Sequence, residues 1–315
     1  MFWLYVALGV LVGAIIITLI TSLVCFFMVF YSPKRVELGE GEYDIPPGEI
    51  YLPYRERMIG WMKDGREAKY EECEITSHDG LTLRGKYYEH KKGAPLEIML
   101  HGYRGNAERD LCGGVYRCER LGRNALIVNH RAAGNSDGHI ISFGINERRD
   151  LLRWIDFANE KFGTDTKIII TGISMGAATV LMAAGEKLPD NVICALADCG
   201  YTSPKEIIKK VMRDMRLPAT LFYPFIKLGA RLFGRFNLEE ASPIEAVKRA
   251  SVPIIFVHGD TDDFVPYSMA EELYAACASK KKLITAKGAG HGLAFPADEE
   301  GYLRAVSEFS SEIGI

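Results

Sequence analysis

Six short apolar runs, LEIMLHG, NALIVNH, KIIITGIS, VICALAD, PIIFVHGD and KLITAKG, recur between Leu96 and Gly288. The segments between them, such as INERRDLLRWIDFANEKFG and PYSMAEELYAACAS, carry apolar residues at three- and four-residue spacing. Strand-length apolar runs alternating with amphipathic helices predict an α/β fold, a mostly parallel sheet with helices on both faces. The runs are nearly continuous rather than alternating, which fits strands buried on both sides. A chain of 315 residues has room for one large domain of this kind.

Two regions stand outside the rhythm. From Phe2 to Tyr31 no residue is charged. At about 1.5 Å rise per residue, about 20 helical residues cross a bilayer core, so the run predicts one transmembrane helix. Trp3, Tyr5 and Tyr31 sit where interfacial aromatics belong. A cleaved signal peptide fits less well: no Lys or Arg precedes the run, and its far end, CFFMVFYSPKR, is bulky. Lys34 and Arg35 follow directly and favour a cytoplasmic position for what comes after. The expected division is an anchor over 1–33, a linker with a short helix near Arg55–Lys63 over 34–69, and a globular domain over 70–315. That domain opens on a hairpin turning at His78-Asp79-Gly80.

The second departure lies between VICALADCGYTS and PIIFVHGD. About fifty residues there are helical in pattern, far more than a crossover requires. IIKKVMRDM pairs Ile208 with Met212 and Val211 with Met215 at i,i+4, and LPATLFYPFIKLGARLF is rich in large apolar groups. We expect a helical lid over about 203–246.

Gly172-Ile173-Ser174-Met175-Gly176 follows an apolar strand and precedes the helical pattern AATVLMAAGEKL. A serine on a sharp strand-to-helix turn projects its Oγ above the sheet, and flanking glycines relieve the crowded backbone. Such a serine needs a base. Of seven histidines, His78 and His90 fall on the hairpin, His101, His130 and His258 close strands, and His139 lies in a polar loop. His291, in GAGHG after the last strand run, shares the serine's sheet edge and is the expected base. The acid orienting it is Asp260, Asp262 or Asp263 in HGDTDDFVP, or Asp198; spacing leaves all four open.

Taken in order, HGYRG, GISMG, HGDTDDFVP and GAGHG resemble the α/β-hydrolase superfamily, in the branch of serine aminopeptidase-like and monoacylglycerol-lipase-like proteins. The resemblance covers roughly residues 70 to 313 and implies the chain order Ser174, Asp262, His291, since the acid of this branch stands in H-G-x-x-D-x-x-V-P. It also implies an oxyanion hole built from the backbone N–H groups of Tyr103 and Met175. Where many relatives carry aspartate, this chain has Asn129 or His130.

The implied activity is that of a serine hydrolase forming an acyl-enzyme on an ester, thioester or amide with a hydrophobic acyl part. Neither cofactor nor metal is called for. The expected partners are an acyl substrate, lipid-like in character, and a membrane reached through the N-terminal helix. A net charge of −3 gives no reason to expect nucleic acid. The seven cysteines include no C-x-x-C pair, and several sit in apolar runs, so they are read as free core thiols. The competing reading is a catalytically silent hydrolase fold acting as a membrane-tethered binding module.

Overall fold

The computed structural model describes residues 1–33 and 41–314. Lys34, Arg35 and the first part of the expected linker lie outside the described residues. Helix α1 spans Phe2–Val29, and a 3-10 turn over Glu49–Tyr54 leads into α2, Arg55–Glu67. The hairpin follows as β1 (Glu71–Thr76) and β2 (Thr82–Tyr88), turning at Gly80 with φ +89°.

The six apolar runs all form strands. They are β3 (Leu96–Leu100), β4 (Asn124–Val128), β5 (Ile168–Ile173), β6 (Val192–Asp198), β7 (Ile254–Gly259) and β8 (Lys281–Ala286). The sheet order is β1-β2-β4-β3-β5-β6-β7-β8, parallel from β4 to β8, with β2 antiparallel to both neighbours. Burial on both faces explains the continuous apolar pattern. Along β5, Ile168 and Ile170 enter one core while Ile169 enters another on the opposite face. The edge strand β8 is only half-buried and reads KKLITA accordingly.

Helices α3 (Ala107–Arg120), α4 (Glu147–Phe162) and α5 (Met175–Ala184) connect the middle strands. All ten residues of α5 are buried, which is why it is apolar on every side. Between β6 and β7 run α6 (Pro204–Asp214), α7 (Ala219–Leu232) and α8 (Pro243–Val247). Of the two i,i+4 pairs, Ile208 and Met212 are buried, whereas Val211 is half-buried and Met215 exposed. Three helices close the chain: α9 (Tyr267–Ala276), α10 (Ala294–Ala297) and α11 (Glu299–Glu312).

Beneath the sheet centre, Glu97 on β3 is fully buried. It accepts hydrogen bonds from Arg117, from Arg123 at 2.9 Å and from the Thr171 hydroxyl at 2.9 Å. Burial opposes its ionisation, but the two guanidinium groups outweigh that and hold its carboxyl at about 2. Removing this carboxylate would strand two buried cations at a cost of about 3–5 kcal/mol.

The end of α1 is built into the globular body. Phe30 is fully buried, with its ring 5.8 Å from Phe143 and 5.2 Å from Phe236. Tyr31 pairs with Ile140 as an isolated bridge, and the Ser32 N–H donates to the His139 carbonyl at 2.8 Å. All seven cysteines are free and buried.

Candidate active site

Ser174 caps the N-terminus of α5 at the carboxyl end of β5, with φ 56° and ψ −116°. That conformation disfavours a side chain, and the surroundings dictate the two glycines beside it. A Cβ on Gly172 would lie 2.2 Å from the Gly176 carbonyl carbon, and one on Gly176 2.2 Å from the Leu100 carbonyl oxygen. Strand and helix meet too closely for any residue but glycine at either place.

Three of the residues expected from the sequence meet at this edge. The Ser174 hydroxyl lies 2.9 Å from His291 Nε2, and His291 Nδ1 lies 2.7 Å from Asp262 Oδ2. Since the carboxylate only accepts, Nδ1 carries the proton and Nε2 is free to accept from Ser174. Asp262 sits on the loop after β7, where its Oδ1 accepts the Phe264 and Val265 amides, both at 2.9 Å. Burial opposes its ionisation. Hydrogen bonds from His258 and His291 outweigh burial and keep the carboxyl well below the usual carboxylate range.

The other acids are placed differently. Asp260 accepts the Gly288 amide at 2.6 Å, and the Asp263 carbonyl receives the Lys210 ammonium. Asp198 is buried at the end of β6, where its backbone oxygen accepts the Ser174 amide at 2.8 Å. Burial pushes its carboxyl up to about 6, with His258 partly offsetting the shift.

Tyr103 lies on the loop after β3, whose Gly102 amide donates to Asp110 Oδ2 at 3.0 Å. Met175 opens α5, so its amide has no acceptor within its own helix. Asn129 ties two loops together. Its Oδ1 accepts the Ala107 amide at 2.8 Å, and its Nδ2 donates to Asn135 Oδ1 at 3.2 Å. The His130 amide donates to His101 Nε2 at 3.0 Å. The remaining histidines, His78, His90 and His139, take no part in the Ser174 contacts; His139 stacks on Tyr31 at 5.7 Å.

Two neighbours of the site escaped sequence reasoning. His258, expected only to close a strand, is fully buried, with Nε2 2.8 Å from the Val265 carbonyl and 3.3 Å from Asp262 Oδ2. A carbonyl only accepts, so Nε2 carries the proton and is shared with Asp262. The four-residue step from His258 to Asp262 was the available signal. Tyr51, inside the expected linker, donates its hydroxyl to the His291 carbonyl at 3.0 Å. No sequence pattern marked it.

Apolar residues of α6 and α7 cover this edge. Ile207, Ile208, Tyr223 and Ile226 cluster with Met175, Val265 and the ring of Tyr103. Phe264 lies 5.0 Å from the His291 ring, and Lys210 of α6 lies 5.9 Å from Phe264.

Residues 141–313, more than half of the chain, match the model of the prolyl oligopeptidase family. The chain belongs to that family. YqkD, an uncharacterised protein of Bacillus subtilis, is 30% identical over 236 residues, 75% of this chain and 77% of that one. The alpha/beta hydrolase domain-containing protein WAV2 of Arabidopsis thaliana is 25% identical over 228 residues, 69% of each chain. Among solved structures, the Pyrococcus furiosus esterase Pf2001 superposes with a TM-score of 0.66 at 21% identity, covering 90% of this chain and 97% of that one. The last likeness establishes a shared fold. This member of the prolyl oligopeptidase family therefore carries the α/β-hydrolase architecture read from its motifs, and it is a hydrolase at that level of description.

Proposed function

We propose that the chain is a serine hydrolase that cleaves a carboxylic ester, thioester or amide through an acyl-enzyme. The observation that carries this reading is the unbroken contact chain Ser174–His291–Asp262 at the carboxyl edge of the sheet. His291 Nε2 takes the Ser174 proton as Oγ attacks the substrate carbonyl, and Asp262 holds the imidazolium that results. The amides of Tyr103 and Met175 receive the oxyanion, each contributing about 3 kcal/mol of transition-state stabilisation. His291 then protonates the leaving group and activates the water that frees the acyl chain.

The apolar cover from α6 and α7 supports its role as a lid and favours a hydrophobic, lipid-like acyl part. On this reading kcat/KM rises with acyl chain length, and equal values for short and long esters would remove the preference.

We read α1 as a retained membrane anchor, with the catalytic domain on the cytoplasmic side as the charge of Lys34 and Arg35 suggests. The helix is 28 residues long, and an 18-residue stretch of it has a mean hydropathy of 2.7. The burial of Phe30 and the bonding of its neighbours favour retention over cleavage, because removal would open the core.

A fluorophosphonate probe tests the central claim. Labelling of the full chain, abolished in Ser174→Ala, is expected; a folded protein that the probe leaves unlabelled would be a tethered binding module instead.

A further inference from the structure

The contacts between α1 and α7 advance along both helices in the same direction. A Cβ on Gly229 would lie 2.5 Å from the Ser22 carbonyl oxygen. One turn further along each helix, Phe26 lies 5.8 Å from Phe233, and beyond that Phe30 lies 5.2 Å from Phe236. Followed backward from Gly229, α7 therefore runs toward the start of α1. The ten residues from Gly229 back to Ala219 cover about 15 Å.

Burial along α1 fixes the level at which this happens. Every residue from Phe2 to Ile20 is exposed except half-buried Gly13 and Thr18, whereas Ser22, Cys25 and Phe26 are buried against the body. About 20 residues are needed to cross the hydrocarbon core, about the length of the exposed stretch of α1. The length left over is the length the body covers. Ser22 and Gly229 thus meet near the boundary, and α7 before Gly229 heads from there toward the membrane. Thr18 and Phe225, one turn before Ser22 and Gly229, are both half-buried, consistent with packing that continues past the boundary.

This brings three exposed apolar side chains to the leaflet, beside Asp214, which pairs with Lys210. In the turn between α6 and α7 and on the outer side of α7, Met215 is 58% exposed, Leu217 38% and Leu221 58%. Arg213 and Arg216 flank them, both exposed and without an ion pair among the described residues. Long cationic side chains in that setting carry their charge to the phosphate level while their stems stay among acyl chains.

We infer that the α6–α7 turn is a second membrane contact, a wedge that seats Met215, Leu217 and Leu221 in the same leaflet that α1 leaves. The inference rests on reading α1 as membrane-spanning, and it names the source of the substrate. Helix α6 runs from the wedge to the site, where Lys210 meets the Asp263 carbonyl and Phe264 flanks His291. An acyl chain drawn from the leaflet has one helix to follow to Ser174.

The test uses the full chain in phosphatidylcholine vesicles, with one introduced cysteine per variant carrying an environment-sensitive fluorophore. The seven native thiols are buried, which favours labelling of the new one. The positions are Leu221→Cys in the wedge, Val10→Cys in α1 and Glu272→Cys on exposed α9. Fluorophosphonate labelling of each variant certifies its fold. Nitroxide-bearing lipids should quench the labels at 221 and 10 by at least about two-fold and leave 272 unaffected. Quenching at 10 without quenching at 221 overturns the wedge and leaves the anchor standing. A blue-shifted but unquenched label at 221 also overturns it, since a second copy of the chain would then cover the surface. No quenching at 10 removes the anchor and the wedge together.

Discussion

The Tyr103 hydroxyl donates to the Val29 carbonyl oxygen at 2.6 Å, joining the loop after β3 to the last turn of α1. Arg104, beside it, donates to the Met28 carbonyl at 2.9 Å and to the Tyr31 carbonyl at 3.1 Å. Carbonyls at a helix end lack partners within their own helix, and here Tyr103 and Arg104 of the loop after β3 supply them. The end of α1, the proposed membrane anchor, is thus hydrogen-bonded to the side chain of the proposed oxyanion donor.

Tyr103→Phe keeps the backbone amide and removes only that tie, a neutral hydrogen bond of about 1 kcal/mol. Steady-state ester hydrolysis by the full chain should show kcat falling about five-fold with KM unchanged. An unchanged kcat would disconnect α1 from the proposed oxyanion hole.

His258 shares its Nε2 proton with Asp262. A lost hydrogen bond to a charged, buried partner is worth about 1.5–3 kcal/mol, so His258→Leu should slow fluorophosphonate labelling about 10- to 100-fold. His258→Gln presents an N–H at similar reach and should recover most of the rate. Equal loss in both variants would reduce His258 to a packing residue.

Ser174 holds a backbone conformation better suited to glycine. Ser174→Ala and Ser174→Gly should both be inactive, yet the glycine variant should unfold at the higher temperature, with an advantage of about 1–2 kcal/mol from released strain. Calorimetry on the two inactive proteins decides this without interference from catalysis.

Asp198 gives a pH dependence whose sign can be worked out. Its folded carboxyl titrates at about 6 against an ordinary value of 3.8. Between those values the native state holds a proton that the unfolded chain has released, so stability falls as pH rises through that window. The loss is on the order of 3 kcal/mol. Asp198→Asn should flatten it, and unfolding curves of both proteins at about pH 4 and about pH 7 measure the difference. A wild-type curve parallel to the variant's would remove Asp198 as the cause.

The parallel sheet was legible because buried strands and amphipathic helices differ in period, and each of the six apolar runs became a strand. The serine turn was legible because close approach leaves Gly172 and Gly176 no alternative. Local pattern stops short of partnership across the fold. Asp260, Asp262 and Asp263 look alike in sequence, and only tertiary position gives one of them to His291. His258 and Tyr51 reach the site from a strand end and an irregular segment, where no periodicity betrays direction. The end of α1 was equally hidden: Phe30 continues an apolar run, yet it is buried in the body and not in lipid.

Gly229 lets the Ser22 carbonyl come nearer than any side chain would allow, and this close fit fastens α7 to α1. A cover attached only by its connecting loops could swing open as a flap. On the reading of α1 as a membrane anchor, the same swing would have to lever that helix through the bilayer. Any gate over Ser174 must therefore sit in the part free of that burden, the latch where Lys210 closes on Asp263 and Phe264.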